Sequence, residues 1–587
     1  MEEHLLNEFE EFGLAPNKKV LEKCIELLKK YNITPDTLVN HWIGYTATKL
    51  NDEAPSLENL ILFEKDLAKE LSAKTKIKSE PLSESPIIHN ITTITQITED
   101  DELLVGYGTP VRKSSVGAKR SSGLEGTPQN KRLAGLGQTY SVHTPSSFSP
   151  STPGTSSKFS SRNNAGEVVV KYPADDVAIN WTRTNETREP DIQLHGTAET
   201  KLTTKYNYMF SRIRDKFEVL EEQINDLGDL MKKKLEIDDF EPNCVLKSET
   251  FHTVGRICCD ATSGSRLNTS SLLLEGNRNT SSGQSVPLDV SQLKEFSFFP
   301  GQVIAVEGSN PTGKKMVVTS ITTPPISSVF KTDVSLEGPL NVMVACGPFT
   351  LPDDLEFAPL VEFIQQVNTL LPHLVIIMGP FVDVKNKKVE CGELDYTYQE
   401  QFDVVMRELQ SKITNSVQVC VIPSWRDVHY RAVYPTPPFP QENKVSNFKF
   451  FSDPSILNVN GVFIGLTSTD ILFHLSKEEI AVAPHGSDRL GRLVSHLFSQ
   501  QSFYPLNPAS EEMSIDLEQA EDHCKLSFTP HLLFVPSDLR HFIKNVNGCV
   551  VVNMERAVKG FCGGTYSRLQ ITGGASAVQI RAEIVRL

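Results

Sequence analysis

Apolar residues recur at helical intervals in the first part of the chain. Between Lys18 and Tyr31 they stand three and four positions apart, and Ser56 can cap a further helix whose apolar residues continue to Leu71. Lysine and glutamate occupy the other faces. The pattern predicts a small N-terminal helical bundle over residues 1–75, a kind of domain that typically docks other proteins.

Residues 76–165 lose this periodicity. Ser, Thr, Pro and Gly dominate there, and aromatic residues almost vanish. Such a segment buries too little apolar surface to offset the entropy lost on ordering it. The composition therefore predicts a disordered linker over 76–165.

The linker carries two patterns that indicate regulation. Six Ser/Thr-Pro dipeptides occur in it, and Thr109-Pro-Val-Arg has the Ser/Thr-Pro-x-basic pattern of proline-directed, cell-cycle kinases. The candidate phosphorylation sites are Thr109, Thr127, Thr144, Ser149 and Thr152. Two basic pairs, Lys119-Arg120 and Lys131-Arg132, fit a two-part nuclear import signal, so we expect the protein in the nucleus.

Residues 166–335 read as one helix followed by short strands. Apolar residues at intervals of three and four predict a helix over Lys205–Lys234. Strand-like runs separated by Gly, Ser and Asn turns then begin at Cys244, Thr253, Ser271, Gln302 and Met316. Five short strands within about 90 residues are typical of a Greek-key barrel of the OB kind. The sequence predicts an OB-fold domain, with its preceding helix, over 166–335.

From residue 336 onward, apolar strands alternate with helical segments. The predicted strands are 342–345, 374–378, 417–422, 461–466, 531–535, 549–553 and 577–584, and the predicted helices cover 355–370 and 397–414. This alternation predicts a layered α/β domain over 336–587 with a largely buried sheet. The fold class is multi-domain α+β: a helical bundle, a disordered linker, an OB-type β-barrel and an α/β domain.

Composition and charge narrow the function classes. The chain has 587 residues and a net charge of −15, which disfavours general nucleic-acid binding. No apolar run approaches the roughly 18 residues of a membrane span. The ten cysteines are scattered without a Cys-x-x-Cys pair, so the sequence gives no sign of a structural zinc site. We expect a soluble intracellular protein that needs no metal or cofactor.

Gly308–Lys315 resembles a phosphate-binding P-loop but lacks its chemistry. The last position is Lys315, so no hydroxyl is available for Mg²⁺, and the run from Met316 reads as a strand. Without a helix N-terminus, nothing concentrates N–H groups on a phosphate. We interpret the segment as a hairpin turn within the barrel.

The predicted strand ends of the α/β domain have the spacing of a two-metal phosphoesterase without its ligands. Such enzymes carry Asp-x-His, Gly-Asp-x-x-Asp, Gly-Asn-His-Asp/Glu and Gly-His-x-His at these places, because two cations need several oxygen and nitrogen donors. The chain instead has Ala345-Cys-Gly-Pro, Gly379-Pro-Phe-Val-Asp, Pro423-Ser-Trp-Arg-Asp and Pro536-Ser-Asp-Leu-Arg-His. Most positions that carry metal ligands in those enzymes therefore hold other residue types in this chain.

Two groups of residues follow from that comparison. Ala345 and Pro380 offer no donor, while Trp425 and Arg426 put bulk or positive charge where a cation would sit. Four residues remain near ligand positions: Asp383, Asp427, Asp538 and His541. We interpret the remaining aspartates as turn or strand caps, since isolated carboxylates bind neither Zn²⁺ nor Mn²⁺ tightly. No catalytic, metal or cofactor residue is predicted.

As a set, these motifs resemble the B (second) subunits of the replicative DNA polymerases, above all those of DNA polymerase alpha. The segments that carry the likeness are 303–308, 345–350, 378–383, 423–427, 451–454 and 536–540. The resemblance extends over nearly the whole chain. It implies an OB domain joined to a calcineurin-like phosphoesterase domain that is inactive.

The resemblance also implies a role and partners. It suggests a non-catalytic accessory subunit of the DNA polymerase alpha–primase complex, acting at the initiation of replication and in primer synthesis. The barrel and the phosphoesterase-like domain would hold the zinc-containing C-terminal domain of the catalytic subunit, with the primase subunits in the same complex. The N-terminal bundle would recruit replication factors on its flexible tether.

Two alternatives stay open on the residues alone. A metal-dependent phosphodiesterase or nuclease would bind metal stoichiometrically or turn over a substrate. A single-stranded DNA binder would use the barrel, with Phe296, Phe298 and Phe299 beside Lys294 as stacking groups, although these side chains are equally suited to a core.

Overall fold

The computed structural model describes residues 159–587 apart from 175–178, 180–188, 261–265, 331, 333, 335, 337, 442–444, 485 and 574–577, together with Val20, Lys23, Cys24, Leu27, Asn59 and the backbone of 87–89. The chain divides into two compact units, Met1–Ser85 and Pro86–Leu587. In the first, Val20, Cys24 and Leu27 are helical and buried at intervals of three and four. The rest of the predicted bundle, the candidate phosphorylation sites and the candidate import signal lie outside the described residues.

The structure describes residues on the N-terminal side of the predicted boundary at residue 166. Phe159 is buried against Leu351 and Val558, and Arg162 forms an ion pair with Glu362. Within the segment predicted as linker, β1 (Ile87–His89) pairs antiparallel with residues 481–483. Two further strands, β2 (Val168–Tyr172) and β3 (Ile192–Leu194), precede the barrel. The prediction of a disordered linker up to residue 165 was therefore wrong at its C-terminal end.

A helix and a closed five-stranded barrel follow. The elements are α1 (Ile213–Leu235), β4 (Lys247–Cys259), β5 (Leu272–Gly276), α2 (Arg278–Ser281), β6 (Ser285–Asp289), β7 (Phe296–Phe298), β8 (Val303–Asn310) and β9 (Met316–Thr322). The strands close in the order β4-β5-β6-β9-β8. Apolar residues of α1, among them Ile224, Leu227 and Met231, pack on Val254 and Val303 of the barrel wall.

Three details of this region differ from the sequence predictions. Residues 244–246 are not a strand, and the fifth barrel strand is β6, which the sequence did not reveal. Pro287 lies inside β6, and proline normally counts against a strand because it cannot donate a ladder hydrogen bond. The helix begins at Ile213 instead of Lys205, since Tyr206 is held outside it by Arg431, whose Nη1 donates to the Tyr206 carbonyl at 2.7 Å.

The remaining chain forms layered sheets and helices. Its helices are α3 (Ala358–Leu370), α4 (Lys387–Cys391), α5 (Tyr398–Lys412), α6 (Ile471–Glu478), α7 (Arg489–Ser499) and α8 (Leu517–His523). Its strands are β10 (Leu340–Cys346), β11 (Leu374–Met378), β12 (Gln418–Ile422), β13 (Phe448–Phe450), β14 (Ser455–Val459), β15 (Val462–Leu466), β16 (Ile480–Ala483), β17 (Leu532–Phe534), β18 (Phe542–Val546), β19 (Cys549–Asn553), β20 (Val558–Lys559), β21 (Cys562–Gly563), β22 (Thr565–Gly573) and β23 (Val578–Arg586).

The strands build two mixed sheets. The first has the order β13-β12-β11-β10-β22-β23-β2, and the second has the order β18-β19-β17-β15-β14-β3. Buried residues of both sheets, including Val344 and Ile376 of the first and Ile464 and Val552 of the second, share one core. Helices α3 and α5 cover the outer face of the first sheet, and α6 and α7 cover that of the second. The layered α/β domain thus contains two packed sheets, where the sequence suggested one.

The barrel and the layered domain are joined by strand pairing and side-chain contacts. Strand β7 pairs antiparallel with β16. The Gln500 side chain accepts from the Val303 N–H at 2.8 Å and donates to the Val303 carbonyl at 3.0 Å. Within the part of the chain that the structure describes, no helix has the length and apolar character needed to cross a bilayer.

Candidate functional site

The C-terminal ends of the parallel strands meet at one edge of the two sheets. Strands β10, β11 and β12 run parallel in the first sheet, as do β15, β17 and β19 in the second. The loops after β10, β11, β12, β17 and β19 surround a cavity of about 60 Å³ whose lining includes Thr350, Asp383, Arg426, Asp538 and Arg556. This edge is where open α/β folds place their ligands, and it is the edge at which the sequence predicted lost metal ligands.

Two glycines let these loops approach one another. A Cβ on Gly347 would lie 2.0 Å from the Pro380 carbonyl oxygen, and a Cβ on Gly379 would lie 2.5 Å from Asp427 Oδ2. Both distances are shorter than any side chain tolerates. The Gly-Pro pairs after β10 and β11 therefore serve close packing of the loops at the strand ends.

Asp427 caps two of these loops. Its Oδ1 accepts from the N–H groups of Phe381 and Val382, and its Oδ2 accepts from the Ser424 N–H at 2.9 Å. Complete burial raises the pKa of Asp427 to about 7, against the opposing effect of those N–H donors. Both carboxylate oxygens are committed to backbone, which agrees with the predicted role as a turn cap.

Asp383 is paired with a guanidinium. Arg426 Nε donates to Asp383 Oδ1 at 3.0 Å, and Arg426 Nη2 contacts Oδ2 in a two-pronged pair. The Lys385 N–H also donates to Asp383 Oδ1, at 3.1 Å. The positive charge that the sequence places after β12 is therefore the partner of the carboxylate that remains after β11.

A second guanidinium, that of Arg556, lies across the loops that follow β10, β15 and β17. Its Nη1 lies 3.0 Å from Cys346 Sγ and donates to the Ser468 carbonyl at 3.1 Å. Its Nε is 3.5 Å from Asp538 Oδ1, and its Nη2 is 3.7 Å from Asp470 Oδ2. Arg556 thus neutralises the carboxylates of the second sheet as Arg426 does in the first.

The pKa shifts of these two carboxylates follow from burial and from the arginines. Burial raises the pKa of Asp470, and its neighbour Asp538 raises it further. Burial also raises the pKa of Asp538, but Arg556 and Arg426 outweigh that effect and hold it below its usual range. Asp538 therefore remains a carboxylate that is paired with Arg556.

His541 belongs to a separate group. Its Nδ1 lies 3.2 Å from Glu555 Oε1, which also accepts from Lys559 Nζ at 3.0 Å. Trp425 packs, half-buried, against the apolar core outside the second sheet, and Ala345 is fully buried in the core outside the first. Pro380 follows Gly379 through a cis peptide bond. The structure gathers Asp383, Arg426 and Asp538 at the cavity, buries Asp427 beside Asp383, and places His541 against Glu555.

The donors at this cavity do not suit a divalent cation. Two carboxylates are paired with guanidiniums, a third is committed to backbone N–H groups, and the histidine contacts a glutamate. A cation placed here would lie beside Arg426 and Arg556, whose charges repel it. Among the described residues, no three His, Cys, Asp or Glu side chains are grouped so as to hold a metal ion.

Two of the three phenylalanines suggested for DNA stacking are packed inside the molecule, and the third, Phe296, is half-buried. Phe298 and Phe299 are fully buried, and the Phe296 ring stacks on that of Phe298 with centroids 5.1 Å apart. The P-loop-like segment comprises the end of β8 and the turn that leads to β9, and Lys315 pairs with Asp289 at 3.0 Å. The hairpin prediction is confirmed, and the burial of Phe298 and Phe299 leaves neither ring free to stack on a base.

Sequence reasoning missed Arg556. The signal was available, because Arg556 follows the predicted strand 549–553 by three residues and so lies at the same sheet edge as the other strand ends. Its partners Asp470, Asp538 and Cys346 come from three other segments. Only the tertiary arrangement shows that they share one guanidinium.

Three family models match this chain. Residues 342–544 match the model for the B subunits of DNA polymerases alpha and epsilon, and residues 217–323 match that for the OB domain of the DNA polymerase alpha B subunit. Residues 3–69 match the model for the N-terminal region of the DNA polymerase alpha B subunit. The three ranges fall in the layered domain, in the barrel with its helix, and in the predicted helical bundle.

Curated relatives match over the full length. The chain is 35% identical to the DNA polymerase alpha B subunit of Rattus norvegicus over 607 aligned residues, which cover 100% of this chain and 99% of the relative. It is 30% identical to that of Drosophila melanogaster, covering 97% and 96% of the two chains. With that of Schizosaccharomyces pombe the identity is 34%, and 62% of this chain and 68% of the relative are covered.

Proposed function

Because this chain belongs to the family of DNA polymerase alpha B subunits, we propose that it is a non-catalytic component that binds the catalytic subunit of DNA polymerase alpha. The observation that carries the non-catalytic part is the pair of guanidiniums at the strand ends. Arg426 and Arg556 neutralise Asp383, Asp470 and Asp538, so those carboxylates are not available for two metal ions. The layered domain then acts as an inactive phosphoesterase that has become a binding scaffold.

The docking of the barrel on the layered domain supports the scaffold role. Strand pairing between β7 and β16, together with the two hydrogen bonds of Gln500 to Val303, fixes one domain against the other. A surface that spans both domains is then already organised before a partner binds, which lowers the entropic cost of association. We propose that this surface holds the zinc-containing C-terminal domain of the catalytic subunit.

The parts nearer the N-terminus complete the proposal. Residues 1–75 would form the helical domain that recruits replication factors, and the segment from 76 would tether it to the scaffold. The complex would include the primase subunits and would act in primer synthesis in the nucleus. Phosphorylation at Thr109, Thr127, Thr144, Ser149 or Thr152 would regulate the tether.

The test is isolation of the full-length chain from nuclear extract. We expect it to co-purify with a large polymerase subunit and the primase subunits through size-exclusion chromatography. Recovery only as a free monomer would overturn the proposal. Elemental analysis and an Mn²⁺-supplemented nuclease assay address the catalytic alternative, which stoichiometric metal or turnover would revive.

A further inference from the structure

Strand β16 has a neighbouring strand on each side, and one of the two comes from the segment predicted as linker. On one side β16 pairs with β7, and on the other it pairs with β1 in the antiparallel register Ile87↔Ala483, Ile88↔Val482 and His89↔Ala481. All four residues of β16 are buried. Without β1, one edge of β16 would have no strand partner within the part of the chain that the structure describes.

The edge that β1 covers lies where the barrel meets the layered domain. Ile480, the first residue of β16, belongs to the core of the barrel, whereas Glu479 before it accepts from Arg492 of α7 in the layered domain. An uncovered edge of an apolar strand leaves backbone N–H and C=O groups unpaired and open to association with other chains. The edge of β16 is therefore a site that an extended peptide segment completes by adding one strand.

The sequence of the linker shows why this segment of the chain suits the edge. Nine of the twelve residues in 87–98 are isoleucine or threonine, the β-branched types that favour strands, and none is Asp, Glu, Lys or Arg. Of the six isoleucines in 76–165, five lie within this run. Pro86, immediately before β1, has no N–H to donate, and proline is tolerated at the start of an edge strand. A Ser/Pro-rich segment therefore contains one strand-forming run, and that run begins where the pairing begins.

We propose that β1 is a docking strand by which the linker binds the edge of β16 in cis, and that docking shortens the tether of the N-terminal unit. The compact unit Met1–Ser85 ends immediately before β1. With β1 docked, the segment between the predicted helical bundle and β16 is residues 76–86, which span at most about 40 Å. With β1 released, the tether extends from residue 76 to residue 158, next to the buried Phe159.

The two tether lengths differ in what they allow the N-terminal unit to reach. For the flexible coil that the composition predicts, the root-mean-square length rises from about 18 Å with β1 docked to about 50 Å with β1 released. Effective concentration falls roughly as the −3/2 power of tether length, so docking raises it about twentyfold near the scaffold. Docking therefore holds whatever the N-terminal unit binds close to the scaffold, and release extends its reach.

The first measurement is disulfide trapping in the full-length chain. Ile87→Cys with Ala483→Cys places cysteines at paired positions, and Leu124→Cys with Ala483→Cys is the matched control. Directly opposite residues of antiparallel strands have Cβ atoms about 4.5–5.5 Å apart, close to the distance that a disulfide requires. The control cysteine is nearer to Phe159 along the chain, so random encounter favours it. Under mild oxidation we expect the paired cysteines to close at least about tenfold faster, as an intramolecular bond identified by peptide mass spectrometry.

The second measurement releases the strand. Ile88→Pro removes an N–H from the middle of β1 and prevents strand pairing there. In the full-length chain we expect backbone amides of residues 480–483 to exchange hydrogen at least about tenfold faster than in the wild type. Small-angle X-ray scattering should show a maximum dimension larger by about 30 Å, because the tether lengthens. Leu124→Pro, the same change elsewhere in the linker, should alter neither quantity.

Equal closing rates of the two cysteine pairs would overturn the proposal. Disulfide-linked dimers would show that the edge takes its strand from a second copy, and would overturn docking in cis. Faster exchange without a larger dimension would overturn the shortened tether. The cysteine pairs leave all backbone donors in place, so they test docking even where the proline variant is unstable. None of these outcomes bears on binding to the catalytic subunit, which co-purification tests separately.

Discussion

Arg426 and Arg556 show how single side chains can change the chemistry of a sheet edge. Each brings a fixed positive charge to carboxylates that would otherwise repel one another in a partly buried cavity. A guanidinium satisfies several acceptors at once, so it balances charge and hydrogen bonding without a metal ion. Removing either arginine would leave buried carboxylates unpaired. The resulting loss of folding free energy is larger than the net contribution of the ion pair.

A second buried charge group lies where the barrel meets the layered domain. Glu479 accepts from Arg492 Nε at 2.8 Å and from Ser297 Oγ at 2.6 Å, and it lies 3.1 Å from His496 Nε2. Replacing Glu479 with Gln keeps the shape but leaves Arg492 without its carboxylate, so we expect a loss of about 2–3 kcal/mol. Thermal denaturation should show a drop of several degrees in the melting temperature.

The same variant gives a pH test. Burial raises the pKa of Glu479, but hydrogen bonds from His496 and Arg492 outweigh it and hold the pKa below its ordinary value of 4.5. A depressed carboxylate stabilises the fold above its unfolded pKa, and that contribution disappears as the pH falls towards the folded value. The difference in melting temperature between wild type and Glu479→Gln should be largest near pH 7 and should shrink below pH 4.5.

The control for both measurements is Glu218→Gln. Glu218 forms an exposed pair with Arg214 on α1, and such pairs contribute little. Its melting temperature should follow that of the wild type across the pH range. A Glu479 variant that behaved in the same way would contradict a stabilising role for the buried group.

At the scale of elements, the segment that enters the layered domain is a structural part of it. Phe159 is 5% exposed and packs on Leu351 and Val558, while Arg162 Nε donates to the carbonyl of Leu587 at 2.9 Å. Replacing Phe159 with Ala should cost about 2–4 kcal/mol, because it leaves a cavity among these side chains. The measurement is chemical denaturation of the full chain.

Phe210→Ala is the matched control for that prediction. The same truncation at an 80% exposed phenylalanine removes little buried surface, so the denaturation midpoint should hardly move. Equal effects of the two substitutions would show that the 159–166 segment does not pack on the layered domain in solution.

Elements buried on both faces were the ones that the sequence predicted well. Strands 374–378 and 549–553 have the predicted bounds, because continuous apolar runs mark the interior strands of covered sheets. Strand β6 was missed because its side chains are mixed and Pro287 interrupts it. Phe159 was missed because one aromatic residue in a Ser/Pro-rich segment has no period, and only its contacts show that it is buried.

The candidate site also contains features that the sequence predicted and features that it could not predict. Positions at strand ends could be predicted from the spacing of apolar runs, and Asp383, Arg426 and Asp538 do line one cavity, with Asp427 buried beside Asp383. The pairing of these carboxylates with arginines could not be predicted, because it depends on how closely two loops approach each other across the sheet edge. His541 illustrates the limit, since it is three residues from Asp538 in sequence and contacts Glu555 instead.

At the scale of the whole molecule, the barrel and the layered domain behave as parts of one body in the structure. The pairing of β7 with β16 and the hydrogen bonds of Gln500 to Val303 cross the boundary between them, and the Asn507 N–H donates to the Pro300 carbonyl at 3.0 Å. Both Gln500 and Val303 are buried, so neither group has water as an alternative partner. A boundary of this kind transmits stability from one domain to the other.

We therefore expect the two domains to unfold in a single transition when tryptophan fluorescence and far-UV circular dichroism are followed in the same thermal scan. Gln500→Ala leaves the buried N–H and carbonyl of Val303 without partners, which should cost about 1–3 kcal/mol. If the boundary couples the domains, this variant should lower the common melting temperature or split the transition, with the barrel melting first. Gln399→Ala, at an exposed position of α5, should change neither. Two separate transitions in the wild type would show that the domains are independent, and a surface spanning them would then need its partner to hold it together.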